Sequence, residues 1–171
     1  MNLYDGADER WVGPEHAASN EALVRRELLV GAAAQARFVA LKNDAPTPEL
    51  GIAAVEQELA TMARPFDVVV LGMGEDGHTA SLFPGAAELA AGLDLESPAS
   101  CLAVHPPGAP LPRLSLNLRT LLDAHRVALH VNGERKWQVY QQAQQEGPIA
   151  ELPVRGVLRH GGWKVEVYWA P

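Results

Sequence analysis

The chain has 171 residues, about the length of a single domain, and its 47% hydrophobic and 20% charged residues suit a globular fold with a real core. Its 14 Lys and Arg against 21 Asp and Glu leave a net charge of −7 with no basic cluster, which argues against nucleic acid or an anionic membrane surface as partner. Cys101 is the only cysteine, no apolar run approaches the ~20 residues a bilayer span needs, and the three acids in the first ten residues are unlike a signal peptide, so no internal disulfide, no membrane insertion and a cytoplasmic location are expected.

Ser19 or Asn20 is suited to cap a helix over 20–34, whose Leu23, Val24, Leu28 and Leu29 form one packing face. Beyond Pro46 and Pro48, Ile52, Val55, Leu59 and Met62 recur every three or four residues and predict a second amphipathic helix ending before Pro65. The unbroken run Val68 to Leu71 then reads as a central parallel strand, 66–71, with helices over both of its faces. Further strands are predicted at 101–104, 113–118 and 126–131. A turn at Asn132-Gly133, a helix over 134–145 and a last strand over 163–169, with Val165 and Val167 inward, complete the pattern. Alternating strands and helices predict one α/β domain over 1–171, with a mostly parallel sheet flanked by helices and a site at the carboxyl ends of its strands. Trp137, Tyr140, Trp163 and Trp169 read as packing residues and Cys101 as a buried structural thiol.

The sharpest feature follows the 66–71 strand: Gly72-Met-Gly74-Glu-Asp76-Gly77-His78-Thr-Ala-Ser81-Leu-Phe83-Pro84-Gly85. Gly72, Gly74 and Gly77 satisfy G-x-G-x-x-G, but Pro84 arrives where a dinucleotide-binding fold needs a long helix, and no second strand ends in an acid at the required distance. The residues fit better a turn whose backbone amides approach an anionic or carbonyl oxygen. His78 then stands at the start of a short helix, where the positive helix end keeps an imidazole neutral and available as general base. His16, His105, His125, His130 and His160 are scattered without metal-ligand spacing, so neither metal nor cofactor is expected.

The run Leu71–Gly85 resembles the signature of the 6-phosphogluconolactonases, relatives of the glucosamine-6-phosphate deaminase/isomerase group. Asp8-Glu9-Arg10-Trp11-Val12 followed by Ser19-Asn20 is similar to that family's acidic-Arg strand end, Pro112–Leu116 resembles its second signature, and Gly133–Lys136 its turn-and-lysine segment. The resemblance implies a Rossmann-like three-layer fold and hydrolysis of 6-phospho-D-glucono-1,5-lactone in the oxidative pentose phosphate pathway. His78 would activate water and Asp76 would fix the loop or the imidazole. Asp8 would hold Arg10 or touch sugar hydroxyls. Arg10, Arg113 and Lys136 would bind the phosphate, with Gly72, Gly74 and Gly77 shaping the pocket.

Before the Asp8 segment the family carries a strand, a Gly-Gly-Ser-Thr-type phosphate loop and a helix that this sequence lacks. The chain therefore reads as a domain shortened at its amino end, with an exposed sheet edge open to self-association. Two other functions compete. Glucosamine-6-phosphate deamination is disfavoured because no glutamate occupies the early position after the histidine that the deaminase pattern requires. A non-catalytic phosphosugar-binding remnant would bind ligand without turnover.

Overall fold

The computed structural model describes residues 2–4 and 6–171. Its strands are β1 (Asn2–Tyr4), β2 (Asp8–Arg10), β3 (Arg37–Val39), β4 (Phe66–Gly72), β5 (Cys101–Val104), β6 (Arg113–Leu116), β7 (Ala124–Asn132) and β8 (Val165–Ala170). They form a parallel β1–β3 pair, an antiparallel sheet in the order β2–β6–β5, and a parallel sheet in the order β4–β7–β8. The predicted α/β architecture with parallel strands is present. The strands at 101–104 and 113–116, however, join β2 in a separate antiparallel layer.

In the β4–β7–β8 sheet the register sets Val69 beside Val127 and Leu71 beside Leu129. All four are buried, so alternate residues of these strands line the core. The other side of β4 is bare: Val68 is 52% and Val70 65% exposed. Two-sided cover and a central position, both expected for this strand, are therefore not found. Among the described residues β4 has a strand on one edge only. A run of valines carries no periodicity that could have told a covered face from an open one.

Helix α1 (Asn20–Glu27) is shorter than the expected 20–34, because the Leu28 amide closes it on Val24 and a single 3₁₀ turn follows at Gly31–Gln35. Its leucine face does not pack as expected either: Leu23 and Leu28 are about half exposed, while Glu21 is buried. What anchors α1 is its amino end. Ser19 Oγ accepts the Ala22 amide, and the fully buried Glu9 carboxylate accepts the amides of Asn20 and Glu21.

Helix α2 (Pro48–Ala60) matches the predicted second helix, with Pro48 in its first turn and Val55 and Leu59 buried. Helix α3 (Leu89–Leu93) lies after the glycine-rich segment. The predicted 113–118 strand stops at Leu116 because the Asn117 side chain accepts the Thr120 amide and starts helix α4 (Leu118–Leu122). Helix α5 (Glu134–Ala143) follows the predicted turn, and α6 (Val154–Gly161), which the pattern reading did not resolve, precedes β8. The last strand begins at Val165, since residues 162–164 form a 3₁₀ turn. Val165 and Val167 pack against the core as expected, but Trp163 is 86% exposed and Trp169 is also exposed, so neither is a core residue.

Pairing of Gly72 with His130 sets the carboxyl ends of β4 and β7 side by side. The glycine-rich segment and the start of α5 thus leave the sheet at one edge.

Candidate active site

After β4 the chain turns tightly: the Gly77 amide donates to the Gly74 carbonyl and the Gly74 amide to the His78 carbonyl. Gly77 has φ +75°, and a Cβ there would strike Leu152, so the turn requires glycine at this point. A Cβ on Gly74 would collide with the His78 ring and the Asp76 carboxylate. The amides of Gly74 and Gly77 are thus spent inside the loop, correcting the expectation that they face an oxyanion. Gly72 is open, with nothing within 4 Å of the position its Cβ would take.

His78 does not begin a helix. It enters a turn in which the Thr79 hydroxyl donates to the Gly72 carbonyl and the Leu82 amide to the Thr79 carbonyl, and α3 starts only at Leu89. The helix-end argument for its charge state therefore does not apply. Asp76 takes that place: its Oδ1 lies 2.5 Å from His78 Nδ1 and also accepts the His78 amide at 3.2 Å. A carboxylate at Nδ1 selects the tautomer with hydrogen on that nitrogen and leaves the Nε2 lone pair for a proton. The His78 side chain is 27% exposed, so Nε2 chemistry is reachable from solvent.

The antiparallel layer supplies the charged partners. Asp8 and Arg10 on β2 face Ser115 and Arg113 on β6 in register. Asp8 Oδ2 accepts a 2.5 Å hydrogen bond from Ser81 Oγ and lies 3.5 Å from Arg113 Nη1. Asp8 thus holds Arg113 and the histidine loop, not Arg10. Arg10 instead donates through Nη1 to the Ala18 carbonyl and the Asn20 side chain. The Ser81 amide donates to Ser115 Oγ, a second tie between loop and layer. The Phe83 ring stacks on the His78 imidazole, centroids 4.0 Å apart, and Arg113 Cζ lies 4.9 Å from the Phe83 centroid.

Burial, and secondarily the like charge of Arg10, pushes the Arg113 guanidinium below its usual range, against the opposing pull of Asp8. Its Nε is buried without a hydrogen-bond partner among the described residues. A guanidinium held beside a second arginine is suited to an anionic ligand that would add to the single carboxylate of Asp8. Lys136 sits in the first turn of α5, at the same sheet edge. Its neighbour Arg135 reaches Glu75 of the glycine-rich loop at 3.4 Å.

The structure therefore gathers His78, Asp76, Asp8 and Arg113 into one contact chain and brings Arg10 and the Lys136 turn to its margins. Sequence reasoning assigned no role to Ser81, Phe83, Ser115 or Glu9. All four lie inside the family-like runs, Ser81 and Phe83 in Leu71–Gly85, Ser115 in Pro112–Leu116 and Glu9 in Asp8–Val12, and that is the trace they leave in the sequence. Among the described residues no group of three or more His, Cys, Asp or Glu converges as a metal site. A separate polar cavity of about 220 Å³, lined by Glu56, Arg64, Arg119 and Asp123 among others, opens near the beginnings of β4 and β7, at the opposite end of those strands.

Residues 6–169 match the family model described as glucosamine-6-phosphate isomerases/6-phosphogluconolactonase. The chain belongs to this family. It is 44% identical to a 6-phosphogluconolactonase of Rhizobium meliloti over 96% of this chain and 71% of that protein. It is 45% identical to one of Mesorhizobium japonicum over 96% of this chain and 68% of that protein. A crystal structure of a 6-phosphogluconolactonase from Shewanella baltica superposes with a TM-score of 0.92 at 44% identity, covering 96% of this chain and 70% of that one. The fold of the family is thus present in a chain that spans about 70% of the length of these relatives.

Proposed function

We propose that this chain hydrolyses 6-phospho-D-glucono-1,5-lactone to 6-phospho-D-gluconate, the second step of the oxidative pentose phosphate pathway. The observation that carries the reading is the His78–Asp76 pair, with Nδ1 engaged and Nε2 without a hydrogen-bond partner among the described residues, its imidazole stacked on the Phe83 ring that also meets the Arg113 guanidinium. Kinship with 6-phosphogluconolactonases at 44% identity supports the substrate.

In this reading Nε2 takes a proton from water as its oxygen attacks the lactone carbonyl carbon, and Asp76 steadies the imidazolium that forms. The tetrahedral intermediate then collapses, the bond from C1 to the ring oxygen breaks, and the same proton passes from Nε2 to that oxygen. Arg113, with Arg10 and Lys136, holds the phosphate at the far end of the sugar. Asp8 keeps Arg113 in place, and Gly72 leaves open space at the loop entrance for the ring. An activated ester needs less assistance than an amide, and His78 acts directly on the attacking water. A doubly charged phosphosugar does not cross membranes unaided, and the cytoplasm is the location that follows from this substrate.

The test is lactone hydrolysis by the wild type and by His78→Ala, each corrected for the spontaneous reaction. Loss of roughly 10²-fold or more in kcat with an unchanged melting curve is expected. Equal rates in both proteins defeat the assignment, and ammonia release from glucosamine 6-phosphate would favour the deaminase chemistry instead.

A further inference from the structure

Phe83 occupies a position that its apolar character alone does not explain. It is half-buried, one ring in contact with both the imidazole of His78 and the guanidinium of Arg113. The segment before it is built to aim that ring. Ala80 takes a left-handed φ of +49°, the Thr79–Leu82 bridge closes the turn, and buried Leu82 pins it to the core. Pro84 then restricts Phe83 to extended backbone, which removes the freedom to swing away. Ser81, inside the turn, is tied to both Asp8 and Ser115. Five residues, Thr79 to Leu82 and Pro84, thus fix the site from which the ring projects.

The two groups it touches act on opposite ends of one small molecule if the lactonase reading holds, and this inference rests on that reading. One activates water at the ester carbonyl, and the other binds the phosphate. The separation between base and cation then has to match the length of the substrate. Neither His78 nor Arg113 is hydrogen-bonded to the other, and what lies in contact with both is the Phe83 ring. An aromatic ring is rigid, with two torsions, and its face attracts both an imidazole and a guanidinium. A leucine of similar hydrophobicity has neither property.

We propose that Phe83 is a positioning residue that spaces the base from the phosphate-binding arginine, and so confers selectivity for a six-carbon lactone phosphorylated at the end remote from the ester. Phe83 itself touches no reacting atom. It acts by holding His78 under the carbonyl when the phosphate is seated on Arg113, so its contribution appears only for a substrate that has both groups. An unphosphorylated lactone gains nothing from the spacing, because it can slide to meet the base.

The experiment compares kcat/KM for 6-phospho-D-glucono-1,5-lactone and for unphosphorylated D-glucono-1,5-lactone in the wild type, Phe83→Leu and Phe83→Tyr, all corrected for spontaneous hydrolysis. Phe83→Leu is expected to lower kcat/KM on the phosphorylated substrate roughly tenfold or more, through both kcat and KM, while the unphosphorylated lactone changes far less. Phe83→Tyr, which keeps the ring, restores the preference. In a double-mutant cycle with Arg113→Met, the effect of Phe83→Leu should largely vanish, because the cation it spaces is gone. An equal fall on both substrates, or additive effects in the cycle, assigns Phe83 to packing alone and overturns the proposal. Absence of turnover in the wild type overturns the lactonase reading itself, which separates the two failures.

Discussion

His78 Nδ1 lies 2.5 Å from Asp76 Oδ1, two residues earlier in the same turn, and the same oxygen receives the His78 backbone amide. One carboxylate oxygen therefore fixes both the ring orientation and the local backbone. The lone pair that remains on Nε2 is the consequence that matters chemically.

Asp76→Asn is expected to reduce kcat for lactone hydrolysis by roughly 10²- to 10⁴-fold with a small change in KM. An amide can present its NH₂ to Nδ1, which favours the opposite tautomer and places hydrogen on Nε2, where the base is needed. Asp76 is half exposed, so the fold should survive and the melting temperature should move little. A variant that retains full activity would remove Asp76 from the mechanism.

A second prediction concerns the buried acid beside the site. Glu9 is fully buried and accepts hydrogen bonds from the Arg10, Asn20 and Glu21 amides and from Ser19 Oγ, with no cation among the partners these bonds name. It ties β2, which carries Asp8 and Arg10, to the amino end of α1. Glu9→Gln exchanges one acceptor oxygen for a donor that faces backbone N–H groups. The expected cost is roughly 2–4 kcal/mol in denaturant unfolding, with the loss of β2 alignment raising KM for the phosphorylated lactone. Unchanged stability would mean that this carboxylate is not the anchor its contacts describe.

How far such features can be read from sequence depends on the separation of the partners. Asp76 and His78 sit within one turn, so their pairing follows from composition and spacing. The second helix was equally legible, because Val55 and Leu59 repeat at helical period behind a proline suited to a first turn. Ser81 and Asp8 are 73 residues apart, and nothing local in either segment announces their hydrogen bond. Glu9 reads as one more surface acid until the amides of α1 are brought to it. The bare face of β4 escaped for the opposite reason: Val68 and Val70 have the same chemistry as buried Val69, and burial here depends on what packs above them rather than on the residues themselves.

The turn that aims Phe83 is strained at one place. Ala80 is the only non-glycine residue among those described with a positive φ, at +49°, a region where a Cβ crowds the following carbonyl. Ala80→Gly relieves that contact but gives the unfolded chain more freedom. The two effects nearly balance, so stability should stay the same or rise by up to about 1 kcal/mol, while Ala80→Val should lower it. Thermal unfolding of the pair checks this, and a clear loss in the glycine variant would show that the turn is not strained.

Cys101 provides the last prediction, which is one of reactivity and pH. Burial, reinforced by the Glu56 carboxylate 3.5 Å from Sγ, pushes its thiol far above the ordinary cysteine range. In the folded protein it is therefore a neutral, shielded thiol, and a thiolate-selective reagent should label it only at the rate of unfolding. The linked effect on stability has a definite sign. Because the folded value lies above the unfolded one, the native state retains a proton that the unfolded chain begins to release above roughly pH 8.5. This contribution is complete below that pH and declines steadily as the solution becomes more alkaline. Cys101→Ala should flatten that alkaline fall, whereas rapid labelling of the native wild type at neutral pH would show that the thiol is neither buried nor protonated.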